Sequence, residues 1–292
     1  MTSLGHASLE RANQRASAAR ESHLDPHRFK EAANLYRKAA RAFKHEKRSS
    51  DAGNAYLLEA GCRDVCNDAE NAVETLKKAA EAFIAGDDVH LAVETLKSSA
   101  NSSIEIRDYR KAAHSIHVVA YIYLSDSNNL GPACRNFERA ADLYRQDNAI
   151  FLAVACIKAI ADTHIIVEDY EQANKLYELA AKTALESQDT VDDVKDYLLL
   201  ASLSAFATQK EYLAQGKIQA YMDHNCHPKF GSTSEGKFVT YILNSVKARN
   251  GVAFDQCVET YRNVAQVDDL TALLLEKIGE IIDGEHPCAT IS

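Results

Sequence analysis

Apolar side chains recur along this chain at positions i, i+3, i+4 and i+7, each time around a pair of alanines. In one stretch they are Leu76, Ala79, Ala80 and Phe83, with lysine and glutamate between them. This spacing puts the apolar side chains on one face of an α-helix and therefore predicts amphipathic helices. The pattern occurs in LYRKAARAF (residues 35–43), TLKKAAEAF (75–83), NFERAADLY (136–144) and KLYELAAKT (175–183).

The alanines follow a repeat of about twenty residues. Eight successive intervals between them are 20 or 21 residues long. Such an interval accommodates one helix of about 14–16 residues and a short turn, so that two intervals make one antiparallel helix pair. The repeat alanines are Ala40, Ala60, Ala80, Ala100, Ala120, Ala141, Ala161, Ala181 and Ala201.

This repeat predicts an all-α fold of the tetratricopeptide type. We expect a right-handed superhelix of antiparallel helix hairpins with a C-terminal helical bundle. The period near forty departs from the usual repeat of about 34 residues, and the tryptophan signpost is absent. A small side chain at each helix crossing lets the backbones approach, while leucine and aromatic neighbours fill the space on either side. Aspartates in the polar stretches between helices are predicted N-caps: Asp51, Asp87 or Asp88, and Asp192.

The pattern loosens after about Lys210, which predicts a second structural region. The segment HNCHPKFGSTSEGK, residues 224–237, contains proline and glycine and is predicted to be a loop. Two or three helices are predicted after it, over Phe238–Arg249, Ala253–Val264 and Leu270–Ile282. We therefore expect helix hairpins over 1–209, with a C-terminal bundle and tail over 210–292 packed on them.

The composition agrees with a folded protein of the cytoplasm. Hydrophobic residues make up 46% of the chain and charged residues 26%, and there are only four prolines. No apolar stretch approaches the ~18 residues that a membrane span needs, and the N-terminal residues do not form a secretory signal. The seven cysteines are scattered and odd in number, which favours buried, reduced thiols over a disulfide framework.

The charge is unevenly distributed. Residues 1–50 hold eleven Lys and Arg against five Asp and Glu, a net charge of +6, while the remainder carries −15 and the whole chain −9. A basic N-terminal part suggests an anionic partner such as lipid headgroups or an acidic protein. A chance fluctuation in composition is the alternative.

The residues do not form a recognisable catalytic or cofactor motif. His224, Cys226 and His227 could start a metal site, but a second ligand cluster is missing unless His286 and Cys288 fold back, so a polar loop is the expectation. Cys62 and Cys66 share a helix face and are expected to pack structurally. His114 and His117 have i, i+3 spacing without a third ligand. We predict no enzymatic activity, no cofactor, no metal and no nucleic-acid partner.

An ordered series of segments resembles the soluble NSF attachment protein (SNAP) family, in particular its alpha and yeast-type members. The series runs AGNAY (52–56), RDYRKAAHSIHVVAYIY (107–123), VEDYEQANKLYE (167–178), VKDYLLLASLS (194–204) and QVDDLTALLLEKIGEII (266–282). The resemblance implies a cytosolic adaptor whose copies wrap a four-helix SNARE complex. It also implies that the C-terminal bundle recruits the hexameric ATPase NSF, which separates the SNAREs, while the adaptor hydrolyses nothing.

The resemblance also implies a SNARE-facing set of residues. Lys47, Lys195 and Lys237 match basic family positions, whereas His114 stands where the alpha type has lysine. Two further family lysines fall on Ala155 and Ala159. The basic groove is therefore expected to be thinned, which weakens long-range attraction to acidic SNAREs. The suspected SNARE-binding residues are Lys44, Lys47, His114, Lys158, Lys195 and Lys237.

Two further surfaces follow from the resemblance. The suspected contacts to NSF are Ile291, the penultimate residue, together with Lys247 and Arg249, which stand where the family has acidic residues. In the alpha type the loop between the first two helices touches the bilayer. Peripheral contact with anionic membrane is accordingly expected here, and a solvated turn is the alternative. The corresponding residues are Leu24, Arg28, Phe29 and Lys30, with Arg20 and His27 as further basic groups.

Two other functions remain open from the sequence. A generic tetratricopeptide-like scaffold would bind another helix or peptide on the same repeats. A helical-repeat enzyme would need a cryptic site that the sequence does not reveal.

Overall fold

The structure is a computed structural model that describes residues 3–21, 25–222 and 230–284. Within these ranges the chain forms fourteen α-helices and no strand, which confirms the all-α, tetratricopeptide-like prediction. The helices are α1 Leu4–Glu21, α2 Pro26–His45, α3 Ser49–Val65, α4 Ala69–Ala85, α5 Val89–Glu105, α6 Tyr109–Leu124, α7 Leu130–Gln146, α8 Ile150–Ile166, α9 Tyr170–Ala184, α10 Val194–Ala207, α11 Glu211–Met222, α12 Ser234–Ala248, α13 Gly251–Arg262 and α14 Asp269–Gly284.

The helices divide into two compact units. The first unit covers Met1–Asn148 and the second Ala149–Ser292. In the first unit each helix packs on the next along the chain. In the second unit α8 packs on α9 and α9 on α10, and α12 and α14 pack on α10. The expected division between 1–209 and 210–292 stays a prediction.

The repeat alanines lie where the helices pack. All nine are buried, and none is more than 5% exposed. Ala80, for example, contacts a cluster that contains Val93, Leu96 and Val119 from the next two helices. The predicted role of these alanines at helix contacts is confirmed.

Short turns with a common backbone conformation link many of the helices. After α2, the amide of Arg48 donates to the carbonyl of Phe43 over 2.9 Å and that of Lys47 to Lys44 over 3.1 Å. These are the two hydrogen bonds of a Schellman motif, which satisfies carbonyls at a helix end. One residue in each such turn is left-handed: Lys47, Asn67, Asp87, Arg107, Asn148, Glu168 and Gln209 have φ between 54° and 61°.

Some predicted N-caps are wrong. Asp51 lies in the first turn of α3 and pairs with Arg48, whose guanidinium is 2.6 Å away. Asp192 precedes the actual cap of α10, which is Asp193. Asp88 does occupy the N-cap position of α5, although its side chain makes no capping hydrogen bond. At α3 and α5 the preceding left-handed residue, Lys47 or Asp87, sets where the helix starts, whereas α10 follows a short 3-10 turn at Val191–Asp193.

The three predicted C-terminal helices are confirmed as α12, α13 and α14. Two details differ. The predicted loop over 224–237 is shorter at its end, because α12 begins at Ser234 with Thr233 as N-cap. The helix α11, Glu211–Met222, was not anticipated, because its apolar positions do not form a regular stripe.

Candidate functional site

Two of the expected basic residues lie at the C-terminal end of α2. Lys44 is in its last turn, Lys47 holds the left-handed position after it, and both side chains are exposed. Positive side chains interact favourably with the negative end of the helix dipole, so Lys44 and Lys47 do not destabilise the end of α2. Arg48 differs, because its guanidinium lies 4.9 Å above the ring of Phe43 and is paired with Asp51.

His114 lies on α6 beside lysines of α4 and α6. The pKa of its imidazole is lowered, first by burial of the ring and then by the charge of Lys77. Lys77 is itself near Lys111, whose ammonium is 2.6 Å from Asp108. At neutral pH His114 is therefore uncharged, and Lys77 contributes positive charge beside it.

Basic residues recur on alternate helices every forty positions, and two of them lie outside the expected set. Lys38 on α2 and Lys78 on α4 are both exposed, and forty-residue steps continue to Val118 and then to Lys158 on α8. Because forty residues make one helix pair, residues at this spacing occupy equivalent positions on successive pairs. The period of the alanines could have identified them.

Not every basic residue of the first unit is available to a partner. Arg37 of α2 is 2.8 Å from Glu59 of α3, and Arg63 is also 2.8 Å from the same carboxylate oxygen. Glu59 is only 1% exposed. Removing one member of such a buried network would leave an uncompensated charge. Arg37 therefore holds α2 to α3, while Arg63 pairs with Glu59 within α3.

In the second unit, two of the expected residues are engaged in ion pairs. The ammonium of Lys158 is 2.8 Å from Asp162, whose other oxygen accepts a hydrogen bond of 2.7 Å from Tyr177. Lys195 of α10 is 3.1 Å from Glu235 of α12, a carboxylate that is almost fully buried. This contact raises the pKa of Lys195 and joins α10 to α12. Lys195 therefore links α10 to α12, and its side chain is still partly exposed to solvent.

Lys237 is exposed beside a cavity of about 500 Å³ between α12 and α13. The rings of Phe238 and Tyr261 stack in its wall with centroids 4.0 Å apart. Farther along α12, Lys247 is exposed in the last turn, and Arg249 caps the helix in a left-handed conformation.

Ile291 lies outside the described residues, as do His224, Cys226, His227, His286 and Cys288.

The segment compared with a membrane loop is only partly at the surface. Phe29 is 3% exposed and packs in a cluster of α1, α2 and α3 residues. Arg28 donates to the carbonyl of Ala18 over 3.2 Å and is 3.4 Å from Asp25. Lys30 is exposed, and Leu24 lies outside the described residues. The surface of this segment is therefore basic, while the ring of Phe29 belongs to the core.

The described residues do not assemble a chemical centre. Among them, no three His, Cys, Asp or Glu side chains are placed to hold a metal ion. His117 lies among aromatic rings, 4.9 Å from Tyr121 and 5.6 Å from Phe137 between centroids. Burial raises the pKa of the Cys62 thiol to about 11 and that of Cys156 to about 12, so both remain protonated.

None of the described helices is both long enough and apolar enough to cross a bilayer.

Comparison with known proteins adds a family match over nearly the whole chain. The family model described as "Soluble NSF attachment protein, SNAP" matches residues 6–283. A protein of Coprinopsis cinerea named "Vesicular-fusion protein SEC17" is 31% identical over 258 residues, which cover 88% of either chain.

More distant relatives align over a similar length. "Alpha-soluble NSF attachment protein" of Homo sapiens is 24% identical over 259 residues, 89% of this chain and 86% of the human one. The protein of the same name from Saccharomyces cerevisiae is 23% identical over 262 residues, 90% of this chain and 89% of the yeast one.

Proposed function

The chain belongs to the soluble NSF attachment protein family, and on this premise we propose that it is a vesicle-fusion adaptor. It binds assembled SNARE complexes, recruits an NSF-type hexameric ATPase and stimulates that ATPase to separate the SNAREs. The observation that carries the proposal is the family match over residues 6–283. In this reading the adaptor holds two partners together and catalyses no reaction itself.

The charged surfaces of the first unit support SNARE binding. Lys44, Lys47 and Lys78 expose ammonium groups, and Lys77 and Lys111 lie beside His114. A SNARE bundle with an acidic surface would be attracted to such residues, and the attraction would decrease with salt. We therefore add Lys38, Lys77, Lys78 and Lys111 to the SNARE-facing residues, and treat Lys195 as a residue that also positions α12.

A co-precipitation experiment tests the proposal. A four-helix SNARE complex is immobilised, the purified chain is added, and the ATPase is supplied with and without the chain. We expect the SNARE complex to retain the chain, and the ATPase to be retained only when the chain is present. Retention of neither protein would refute the proposal. Selective capture of an unrelated helical peptide would favour the generic scaffold.

The C-terminal end gives a separate test of ATPase stimulation. Deletion of Ile291–Ser292 is expected to leave SNARE binding and ATPase recruitment intact while lowering the ATPase rate. The matched control replaces Ser292 alone with alanine and should retain the full rate. An unchanged rate after the deletion would remove Ile291 from the proposed function.

We further propose that the protein acts in the cytoplasm and reaches membranes through SNAREs. Arg28 and Lys30 would add a weak contact with anionic lipid, worth about 1 kcal/mol for each basic group near the surface. Flotation with vesicles that contain phosphatidylserine would show this contact as salt-sensitive binding that Arg28→Glu/Lys30→Glu removes. Equal flotation of the wild type and of Arg28→Glu/Lys30→Glu would favour the alternative that this segment is a solvated turn.

A further inference from the structure

The cavity between α12 and α13 is an apolar surface for which the proposed function names no occupant. Its volume is about 500 Å³, and the buried rings of Phe238 and Tyr261 stack in its wall. Two further apolar side chains that line it are open to solvent, because Tyr241 is 61% and Val264 71% exposed. Exposed apolar side chains around an apolar wall are typical of a surface that binds something. We call this surface the α12–α13 cavity.

The polar groups of the α12–α13 cavity are few. Among the described residues that line it, Lys237 is the one with a charge. Ser234, Gln256, Cys257 and Thr260 are the uncharged polar residues, and the hydroxyl of Thr260 already donates to the carbonyl of Gln256 over 2.7 Å. An occupant that suits these walls is mostly apolar and carries little charge, of negative sign.

The end of α14 lies against the beginning of α13. A Cβ added to Gly251 would lie 2.8 Å from Oδ1 of Asp283 and 3.9 Å from Cγ2 of Ile282. Gly251 is the first residue of α13, and Ala253 of the cavity wall follows two residues later. The chain after Gly284 therefore continues from a point beside the α12–α13 cavity.

Eight residues, EHPCATIS, follow α14 in the sequence and lie outside the described residues. We call them segment 285–292. Pro287, Cys288, Ala289 and Ile291 have apolar or small side chains. Glu285 is the acidic residue of the segment, which contains no lysine or arginine. Its composition therefore complements an apolar cavity that has one ammonium group in its wall.

We infer that segment 285–292 docks in the α12–α13 cavity of its own chain, with Ile291 as the apolar anchor against the rings of Phe238 and Tyr261. Such docking fixes the position of Ile291 relative to α12 and α13. The inference goes beyond the proposed function and does not depend on it, because it concerns contacts within one chain.

The lengths of the two elements agree with this placement. From Gly251 to Cys257 the helix α13 rises about 9 Å, at about 1.5 Å per residue. Four extended residues from Gly284 to Cys288 reach about 13 Å, at about 3.3 Å per residue. Cys288 can therefore lie level with Cys257 of the cavity wall. Ile291, three residues farther on, can then reach the end of α13 at which the stacked rings lie.

A disulfide between Cys257 and Cys288 reports the docked segment. Cys257 is a half-buried free thiol of the cavity wall, and no cysteine needs to be introduced. Oxidised glutathione is the oxidant: the two thiols lose two protons and two electrons and form one S–S bond, and the oxidant becomes two molecules of reduced glutathione. Acid quenching, digestion and mass spectrometry give the rate. Ile291→Asp removes the anchor, and the matched control Thr290→Asp adds the same charge one residue away.

We expect the wild type and Thr290→Asp to form this disulfide at least tenfold faster than Ile291→Asp. Equal rates in the two aspartate variants would overturn the inference, because the covalent link to α14 alone would then bring the thiols together. A Cys257–Cys288 disulfide found only in covalent dimers would also overturn it, since the segment of one copy would then occupy the cavity of another.

A second measurement needs no oxidation. The full chain is compared with a variant that ends at Gly284, by NMR of alanine and valine methyl groups. We expect removal of the segment to shift the signals of Ala253 and Val264 and to leave that of Val65, on α3 of the first unit, unchanged. Unshifted signals of Ala253 and Val264 would overturn the inference. Because neither measurement uses a SNARE complex or the ATPase, failure of the proposed function would not affect the result.

Discussion

At the scale of single residues, the turns between helices place non-glycine residues in a left-handed conformation. Arg107 has φ of 59° and Glu168 also 59°, although this region costs an L-residue about 1–2 kcal/mol. Asn67 and Asn148 tolerate the conformation better, because asparagine favours it more than most residues do. The turn geometry is thus imposed by the packing of the helices that it connects.

Arg107 provides a test of this cost. Arg107→Gly removes the clash of Cβ with the backbone, and we expect the free energy of unfolding to rise by up to about 1 kcal/mol. Arg107→Val should lower it by about the same amount or more, because β-branched residues tolerate this region poorly. Urea denaturation of both variants gives the comparison. Equal stability of the two would contradict a left-handed turn at this position.

His117 makes stability depend on pH. Burial lowers the pKa of its imidazole below the usual 6.5, with a smaller effect from His114, and its buried Nε2 has no hydrogen-bond partner among the described residues. As the pH falls below 6.5, the unfolded chain binds a proton that the folded chain still excludes. The contribution of His117 to folding is therefore unfavourable at low pH and vanishes above 6.5.

His117→Phe should remove this contribution and suit the surrounding aromatic rings. We expect the variant to be more stable than the wild type at pH 5.5 by about 1 kcal/mol, with a smaller difference at pH 7.5. His90→Gln, at an exposed position of α5, is the control and should follow the wild type at both values. If the difference in stability between His117→Phe and the wild type were the same at pH 5.5 and pH 7.5, the titration of His117 would not affect folding.

At the scale of helices, the alanine repeat sets how closely neighbours approach. Ala80 of α4 is 1% exposed, whereas Ala85 at the end of the same helix is exposed. Ala80→Leu should overpack the contact and lower the free energy of unfolding by about 1–3 kcal/mol. Ala85→Leu should change it by less than about 0.5 kcal/mol. Thermal unfolding compares the two variants. An unchanged free energy of unfolding for Ala80→Leu would mean that the helix contact at Ala80 can accommodate a larger side chain.

At the scale of the whole molecule, negative charge predominates, with a net charge of −9, so the proposed SNARE binding would depend on a few exposed cations. We expect Lys47→Glu/Lys78→Glu to weaken SNARE binding about tenfold and to reduce its salt dependence. The control, Lys97→Glu/Arg139→Glu, makes the same charge change on α5 and α7, outside the alternate helices that carry the basic repeat. Binding is measured on immobilised four-helix complexes. Equal weakening by both pairs would show a general charge effect instead of a surface formed by the alternate helices.

The candidate surfaces were only partly predictable. Lys44 and Lys47 are exposed as expected, and the forty-residue period also contains Lys38 and Lys78, which were missed. Phe29 looked like an exposed apolar residue in a short loop, but it is buried by α1 and α3.

The family, the all-α class and the packing role of the alanines can be inferred from the amino-acid sequence, because these depend on patterns that repeat within one helix or one helix pair. Which charged side chains remain available to a partner depends on the tertiary structure. Lys195 meets Glu235 across forty residues, and Arg37 meets Glu59 across twenty-two. Such pairs depend on which helix faces meet, and hydrophobic burial sets those faces without regard to the charges at their edges.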